Sequence, residues 1–340
     1  MKIKEITLQN YKRFVEPKTI SFCDEEGEVN DMTLIVGDNG SGKSSVLQAI
    51  VSVIGTACGR FTKPDELVWT GFEYDKLRPN KADSVRVEME LLLADEEFQL
   101  IEKKWYDYHQ SGDYTICPNL FLNLEYSEKN VTHSIENYYH DEDGNEIFTK
   151  YKSKDKKFPK LGSIYWYTEQ RNSFSLSNAK SNVSDIETLR TRLVKLSNIH
   201  GHIVSGRIVL KENEKDNFIA LETIYNRILP NRKFIGAIPQ NDIDAPEEFW
   251  LTDGNNRYEI AEMSAGERAI FPILMDFALM SINNSIIIID ELELHLHPPL
   301  QQVLIRALPK LGENNQFIIT THSRSVAALF TDEQTIYLEK

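Results

Sequence analysis

The stretch Gly37-Asp38-Asn39-Gly40-Ser41-Gly42-Lys43-Ser44-Ser45 decides how this chain is expected to fold. It follows the apolar run 32–36 and precedes an amphipathic segment over 46–54, so the predicted order is strand, glycine-rich loop and helix. The stretch fits the P-loop pattern G-x-x-x-x-G-K-[ST], which binds phosphate groups. The strand before it and the helix after it favour a P-loop over a glycine-rich turn that matches by chance.

A P-loop assigns roles to its residues. The glycines let backbone N–H groups surround phosphate oxygens, the lysine reaches the outer phosphates, and the serine that follows it holds Mg²⁺. The helix that begins there adds the positive end of its dipole to the same anion site. The candidate residues for binding a nucleotide are Asn39, Gly40, Ser41, Gly42, Lys43, Ser44 and Ser45, with Ser44 also the candidate Mg²⁺ ligand.

Composition limits the classes of protein to which the chain can belong. With 340 residues, 41% of them hydrophobic, the chain can bury one large core or two modest ones. Cys23, Cys58 and Cys117 are far apart and form no C-x-x-C, so neither a disulfide framework nor a zinc site is expected. The sequence shows no signal segment and no apolar run near the roughly 20 residues that span a bilayer, so we expect a cytoplasmic protein without a membrane partner.

The charge of the chain argues against a surface built broadly for DNA. The net charge is -14 and the pI is about 5.1, whereas phosphate binding requires concentrated Lys and Arg. One local candidate for DNA binding is a lysine-rich run with interleaved aromatics, formed by Lys150, Tyr151, Lys152, Lys154, Lys156, Lys157, Phe158 and Lys160. A solvated loop explains that run somewhat better.

The N-terminal half has the alternation that is typical of an antiparallel sheet. Strands are predicted over residues 2–8, 19–22, 84–91, 98–105 and 120–126. The basic and aromatic tip 10–14 could contact a nucleotide or another polyanion, and an exposed charged turn explains it nearly as well. The segment 130–160 is a hairpin or a long loop around Asp143-Gly144-Asn145.

Helical patterns dominate the next part of the chain. A strand over 163–168 leads to Gln170, and apolar residues then recur at helical spacing over 185–196 and 216–229. Both segments are too short for a long coiled coil. A further helix is predicted from Ser264 to about Met280, opened by the Ser-x-x-Glu capping box of Ser264 and Glu267.

Two apolar runs near the C-terminus each end in polar residues. The run 285–289 ends in Asp290 and Glu291, and the run 316–319 leads to His322. Continuous apolar runs predict strands that are buried on both faces of a mostly parallel sheet, where ligand contacts lie at the carboxyl ends. In a P-loop protein the first acid meets Mg²⁺ and the second polarises the attacking water. An acidic helix cap and a structural histidine are the alternatives.

These pieces, in this order, resemble the ABC-type ATPase heads of the SMC, RecF and OLD families. The matching motifs are the P-loop at 37–45, a Q-loop candidate at Gln170, a signature motif at 264–267, a Walker B pair at 290–291 and the switch histidine His322. The tip 10–14 is similar to the Asn-Phe-Arg element of the family, and 291–298 resembles the D-loop region of OLD-like ATPases.

The resemblance and the patterns together imply an α/β P-loop NTPase with an ABC-type ATPase head. It has a mostly parallel core sheet, an antiparallel β subdomain and a small helical lid. Residues 1–171 form an N-terminal lobe with the P-loop and the β subdomain, and 172–263 form a helical lid or insertion. Residues 264–340 carry the signature helix, Walker B and the switch histidine.

The resemblance also implies roles for single residues, with ATP and Mg²⁺ as cofactors. Two subunits close head to tail, so that Ser264 and Gly266 of one contact the γ-phosphate held at Lys43 of the other. The remaining roles are Mg²⁺ coordination by Ser44, Gln170 and Asp290, catalysis by Glu291, His322 and Gln170, and a place near the nucleotide for Lys12. His295 and His297 are structural or dimer-contact positions.

Three departures from the family narrow the function. Ala265 stands where many members have glycine, no long coiled coil separates Gln170 from Ser264, and the chain stops soon after His322, without the nuclease domain of OLD proteins. We therefore expect an ATPase that dimerises on ATP and controls a separate effector, such as a nuclease, in phage defence or DNA maintenance. One alternative is a RecF-like repair ATPase that binds DNA directly. The other is the ATPase subunit of a transporter, which the β-rich insertion after the P-loop argues against.

Overall fold

The computed structural model describes residues 1–57, 66–73, 76–80, 84–95, 97, 115–126, 131–140, 146–151, 163–168, 186–242 and 244–339. The chain divides into two compact units. The first consists of 1–166, 284–290 and 314–340, and the second consists of 167–283 and 291–313. The three-part division at residues 171 and 263 stays a prediction.

The first unit contains two sheets and a helix that follows the P-loop. Its elements begin with β1 (Lys2–Gln9), β2 (Lys18–Ser21), β3 (Met32–Gly37), α1 (Lys43–Ala57), β4 (Val85–Leu92), β5 (Thr115–Tyr126), β6 (Val131–His140), β7 (Glu146–Tyr151) and β8 (Ser163–Tyr167, which ends one residue into the second unit). Its later elements are β12 (Ser285–Ile289), β13 (Gln316–Thr321), the short helix α6 (Arg324–Ala327) and β14 (Thr335–Leu338).

The second unit lies between these two groups in the sequence. Its elements are α2 (Ile186–Val204), α3 (Asn217–Ile228), β9 (Lys233–Ile238), β10 (Glu248–Thr252), β11 (Arg257–Glu259), α4 (Ala265–Met280) and α5 (Pro298–Ala307). Short 3-10 turns occur at Ile260–Glu262 and Leu308–Lys310 in this unit and at Asp332–Gln334 in the first unit.

A five-stranded sheet forms the core of the first unit, in the order β14-β3-β13-β12-β8. The pairs β12/β13, β13/β3 and β14/β3 are parallel. Every residue of β12 and β13 is buried, which is why neither strand shows the alternation of a strand with one face in water. Because β3, β12 and β13 run in the same direction, Gly37, Asp290 and His322 follow them at the same edge of the sheet. The prediction of a mostly parallel core is confirmed.

The second sheet of this unit is antiparallel and has the order β2-β1-β4-β5-β6-β7. In β4 the apolar residues Val85, Val87, Met89 and Leu91 are buried and alternate with exposed or half-buried polar residues, as the period of a strand requires. The strands predicted at 2–8, 19–22, 84–91 and 120–126 are present. The strand predicted at 98–105 and the turn at 143–145 lie outside the described residues.

The second unit is more than a helical lid. The predicted helices are present as α2 and α3, but they are followed by a three-stranded antiparallel sheet in the order β11-β10-β9, which the sequence analysis did not predict. An aromatic cluster of Phe218, Tyr225, Phe234, Phe249 and Phe271 joins α3, this sheet and α4, with ring centroids 5.1 to 6.3 Å apart.

Among the described helices, none combines the length and the apolar character that a membrane span needs.

One buried glutamine completes the hydrogen bonding of β1. β2 pairs with β1 only from Glu5 onward, so it does not reach Ile3. Instead, the side chain of Gln316 accepts from the N–H of Ile3 at 2.6 Å and donates to its carbonyl at 2.9 Å. Gln316 and Ile3 are both 0% exposed, so no water can replace these bonds. Gln316 thereby links the start of β13 to the other sheet of the first unit.

We expect Gln316→Met to lower the free energy of unfolding by about 3 kcal/mol. The methionine matches the length of glutamine but leaves two buried backbone groups without partners, each of which costs roughly 1 to 3 kcal/mol. Urea unfolding followed by circular dichroism measures the change. The matched control is Gln240→Met at an exposed position, where we expect a change below about 0.5 kcal/mol. Equal stability of the two variants would contradict the linking role of Gln316.

Candidate nucleotide-binding site

The P-loop joins the end of β3 to the start of α1. Gly40 and Gly42 have φ angles of +79° and +100°, which side chains other than glycine adopt only with strain. A Cβ atom at Gly40 would meet nothing within 4 Å, so the loop has open space on that side. A Cβ atom at Gly42 would lie 2.7 Å from Cδ of Arg13 and 2.9 Å from Cζ of Phe14. The loop is therefore open at Gly40 and tightly packed at Gly42.

Lys43 lies over this loop. Its ammonium donates to the carbonyl oxygens of Gly37 at 2.8 Å and Asp38 at 3.2 Å, and the residue is only 5% exposed. Ser41 Oγ is buried and has no hydrogen-bond partner among the described residues. A buried cation, an unpartnered hydroxyl and an open glycine turn are the features that a phosphate group would use. The P-loop residues therefore fit a nucleotide.

Two hydroxyl groups converge on the carboxylate of Asp290. Ser44 Oγ, at the start of α1, donates to Asp290 Oδ1 at 3.2 Å, and Thr320 Oγ1, in β13, donates to the same oxygen at 2.5 Å. Asp290 is 2% exposed and Thr320 is 0% exposed. Carboxylate and hydroxyl oxygens are the ligands that Mg²⁺ prefers in proteins. Ser44 and Asp290, which the sequence analysis paired, are in contact and fit a Mg²⁺ ion.

The N-terminal tip contacts the P-loop through a residue that the sequence analysis did not select. The guanidinium of Arg13 donates to the carbonyl of Gly40. Lys12 donates to the side chain of Gln48 on α1 and, at 2.9 Å, to the carbonyl of Gly71, and its expected place near the nucleotide stays a prediction. The signal in the sequence was the basic pair itself, since spacing alone does not distinguish its two members.

Lys12 lies in a pocket that disfavours its charge. Its ammonium stands 5.8 Å from the ring centroid of Phe72, a contact that favours the charge, but the effect of burial is larger. Burial lowers the pKa of Lys12 from 10.5 to about 8, and the nearby carboxylate of Glu73 only partly opposes this effect. The Lys12 ammonium therefore destabilises the folded state near neutral pH.

The other predicted catalytic residues differ in how far the structure describes them. His322 follows β13 and is exposed. Glu291 is half-buried and has a φ angle of +47°, in the left-handed region. Gln170 lies outside the described residues. Their roles as switch histidine, base and Mg²⁺ ligand stay predictions.

The signature motif forms the start of α4, as its capping box predicted. Ser264 Oγ accepts from the N–H of Glu267 at 3.2 Å, and Glu267 Oε2 accepts from the N–H of Ser264 at 3.0 Å. Glu267 is buried, and its other oxygen forms an ion pair with Arg232 at 3.0 Å. Ser264 is exposed, whereas Gly266 is buried, and a Cβ atom there would lie 3.3 Å from the carbonyl of His295. The nucleotide contacts predicted for Ser264 and Gly266 stay predictions.

Three further features of the chain lie outside the P-loop and the signature motif. The lysine-rich run 150–160 lies almost wholly outside the described residues. His200 Nδ1 lies 2.6 Å from Asp216 Oδ2, and its ring stacks on Phe218 at 4.7 Å, which is a structural arrangement. In the part of the chain that the structure describes, no group of three or more His, Cys, Asp or Glu residues could hold a metal ion.

The fold and this site define an α/β P-loop ATPase head of the ABC type. Residues 2–339 match the family model described as the RecF/RecN/SMC N terminal domain, and the chain belongs to that family. The resemblance to SMC and RecF heads that the motifs indicated is therefore confirmed.

Curated relatives of the chain include ATPases of bacterial retrons. The Retron Ec83 probable ATPase of Escherichia coli is 24% identical over 401 residues, which cover 100% of this chain and 72% of that protein. The Retron Vc95 probable ATPase of Vibrio cholerae is 23% identical over 98% of this chain and 73% of that protein. The Septu protein PtuA of Bacillus mycoides is 22% identical, and the chain spans about 40% of its length.

Solved SMC heads have the same fold. A structure of the SMC head bound to the C-winged helix domain of ScpA has a TM-score of 0.54 at 16% identity, and covers 96% of this chain and 91% of that chain. An Smc head with an extended coiled coil, bound to the C-terminal domain of ScpA derived from Pyrococcus furiosus, has a TM-score of 0.51 at 15% identity with the same coverage.

We expect Gly42→Ala to destabilise the P-loop far more than Gly40→Ala. Both variants place a side chain at positive φ, which costs about 1 kcal/mol. Only at position 42 must the new methyl also displace the buried Phe14 ring, and overpacking of this kind costs a further 1 to 3 kcal/mol or so. Urea unfolding of both variants measures the difference. A loss of the same size at the two glycines would show that the contact with the tip is not tight.

The lowered pKa of Lys12 predicts a dependence of stability on pH. Between about pH 8 and pH 10.5 the unfolded chain holds a proton on Lys12 that the folded chain has lost, so stability rises with pH in this window. Subtracting the free energy of unfolding of Lys12→Met removes the contribution of other groups. We expect the free energy of unfolding of the wild type to rise relative to that of Lys12→Met from pH 8 to pH 10.5. Below pH 7 the difference between the two free energies should be constant. A constant difference throughout would refute a buried Lys12.

Proposed function

We propose that this chain binds ATP with Mg²⁺ and hydrolyses it, that two copies close head to tail around the nucleotide, and that closure controls a separate effector in phage defence. The observation that carries the ATPase assignment is the contact between Ser44 and Asp290, 246 residues apart in the chain. It brings the hydroxyl of the P-loop and the carboxylate of Walker B to one point, as a shared Mg²⁺ ion requires. The retron relatives are themselves named probable ATPases.

In this proposal the P-loop residues bind and neutralise the phosphates. Lys43 leaves the carbonyl oxygens of Gly37 and Asp38 for the outer phosphates, and the hydroxyl of Ser41 gains a partner. Asn39, Gly40, Gly42 and Ser45 contribute the remaining loop and helix-start contacts. When bound, Mg²⁺ neutralises phosphate charge and orients the outer phosphates, with Ser44, Asp290 and Gln170 as its proposed protein ligands.

The catalytic groups act on the attacking water and the terminal phosphate. Glu291 accepts a proton from the water as general base, and Gln170 orients that water. His322 holds the γ-phosphate and stabilises the charge that develops on it. Because the attack is in line, positioning supplies most of the rate enhancement. Lys12 supports this arrangement through Gln48 on α1.

Head-to-tail closure would bring the signature motif of one copy to the P-loop of the other. Ser264 is exposed at the start of a 16-residue helix, and helix starts bind anions through their free N–H groups. Glu267 caps Ser264 and keeps its backbone in place. Gly266, which is buried against His295, would support the motif and lend its N–H group rather than its Cα face.

The effector and the biological role rest on the relatives. The similarity to retron ATPases over nearly all of this chain, and the similarity to Septu PtuA, support a role in defence against phage. We infer that the output activity belongs to a partner protein, for which a nuclease is the leading candidate.

We expect Glu291→Gln to bind ATP, to accumulate as a closed dimer and to lose ATP turnover by a factor of roughly 100 or more, because the glutamine keeps the shape of the side chain but cannot accept the proton. Phosphate release measures turnover, and native mass spectrometry with and without ATP and Mg²⁺ measures the dimer. The control is Lys43→Ala, which should lose both nucleotide binding and the dimer. Unchanged turnover in Glu291→Gln would remove Glu291 as the base.

The same preparation tests control of an effector. The variant is purified from cells together with the products of neighbouring genes. A partner that associates differently with and without ATP supports the proposal. A dimer that carries nucleic acid and no protein partner would instead favour the RecF-like alternative.

A further inference from the structure

Thr320 is a buried threonine whose contact with Asp290 the sequence did not indicate. Its hydroxyl donates to Asp290 Oδ1 at 2.5 Å, and the same oxygen accepts from Ser44 at 3.2 Å. The two hydroxyls differ in their surroundings, because Thr320 is 0% exposed and Ser44 is half-buried at the start of α1. One donor is therefore fixed inside the sheet, and the other stands where it can turn toward a bound cation.

The position of Thr320 makes its hydroxyl a rigid donor. A β-branched side chain has few χ1 rotamers, and every residue of β13 is buried, so the side chain has little freedom to rotate. The acceptor is a carboxylate that is 2% exposed, and a hydrogen bond to a buried charge is stronger than one between neutral groups. This hydrogen bond restricts the rotation of the Asp290 carboxylate group.

We propose that Thr320 is a positioning residue that holds the carboxylate of Asp290 in the orientation needed to coordinate Mg²⁺. The proposal rests on the assignment of Asp290 as a Mg²⁺ ligand in the proposed function. When Mg²⁺ binds, the hydroxyl of Ser44 would turn from Asp290 to the cation. Thr320 would keep its hydrogen bond to Oδ1 and prevent the carboxylate from rotating away from the cation. Groups that orient a metal ligand in this way often change metal affinity by 10-fold to 100-fold when removed.

Thr320 also connects Asp290 to the strand that precedes His322, the proposed switch histidine. His322 is two residues further along the chain, and the intervening Thr321 accepts from the N–H of Ser323 at 3.0 Å. The parallel pairing of β12 with β13 sets the spacing between the two strand ends. Asp290 and His322 thus follow neighbouring strands, and the hydroxyl of Thr320 links Asp290 to the strand that precedes His322.

The adjacent strand supplies a matched control. Thr33 lies opposite Ile318 in the pairing of β3 with β13, is 1% exposed, and has a hydroxyl without a hydrogen-bond partner among the described residues. Replacing this threonine with valine removes a buried hydroxyl from the same sheet without touching Asp290. Thr33→Val therefore shows the effect of losing a buried hydroxyl from this sheet, without the loss of a hydrogen bond to Asp290.

The test compares Thr320→Val, Thr320→Ser and Thr33→Val in the full chain. Binding of a fluorescent ATP analogue is measured over a series of Mg²⁺ concentrations and in EDTA. We expect Thr320→Val to need about 10-fold more Mg²⁺ for half-maximal enhancement of binding, with affinity in EDTA within about twofold of the wild type. Thr320→Ser, which keeps the hydroxyl, and Thr33→Val should both follow the wild type.

Each other outcome has a distinct meaning. A Mg²⁺ dependence of Thr320→Val equal to that of Thr33→Val would overturn the positioning role, and so would an equal loss in Thr320→Ser and Thr320→Val. If Thr320→Val unfolds at the assay temperature, Thr320→Ala is compared with Thr33→Ala by the same measurement and the same criteria. A wild type whose binding ignores Mg²⁺ would overturn the proposed function as well, whereas normal Mg²⁺ dependence with an insensitive Thr320 would overturn the positioning role alone.

Discussion

The structure of the first unit depends on the placement of one buried carboxylate. Asp290 is 2% exposed and would be costly to keep charged without partners. Its Oδ1 atom accepts from hydroxyls on α1 and β13, the helix after the P-loop and the strand beside its own. These bonds bring three segments, distant in sequence, to one edge of the parallel sheet. A cation bound here would also stabilise the buried charge of Asp290. The carboxylate would therefore serve both the folded structure and cation binding.

The parts of the fold that the sequence predicted are those in which a local pattern has one structural solution. The apolar runs 286–289 in β12 and 317–319 in β13 do not alternate with polar residues, and such runs are stable only where both faces are covered. The capping box of Ser264 and Glu267 satisfies free N–H groups at a helix start, so the two residues predict the first turn of α4 wherever the helix packs. Most of the core sheet and the candidate Mg²⁺ ligands Ser44 and Asp290 followed from such patterns.

The parts that the sequence did not predict are decided by contacts distant in the chain. Strands β9, β10 and β11 have only six, five and three residues. Their sheet is stabilised by distant contacts, because Phe234 packs against α3 and α4 and Phe249 packs against α3. Nothing local distinguishes Thr320 from its neighbour Thr321, since only the tertiary position of Asp290 selects one of them. The sequence likewise does not distinguish Arg13 from Lys12. The left-handed backbone of the tip, with φ of +50° at Lys12, sets which of the two side chains contacts the P-loop.

Backbone strain adds a last argument about where function lies. Among the described residues, those other than glycine with positive φ include Asn10, Asn231, Asn284, Asn314 and His295, residue types that tolerate this region, and Ser281, which ends α4 in the left-handed conformation that is common at helix ends. Lys12 and Glu291 are different, because Lys and Glu adopt this region rarely and a glycine at either position would relieve the strain. Both carry charge, and both belong to the proposed nucleotide site. The simplest physical reason for strain at these positions is that an ammonium and a carboxylate are needed there, at the expense of local stability.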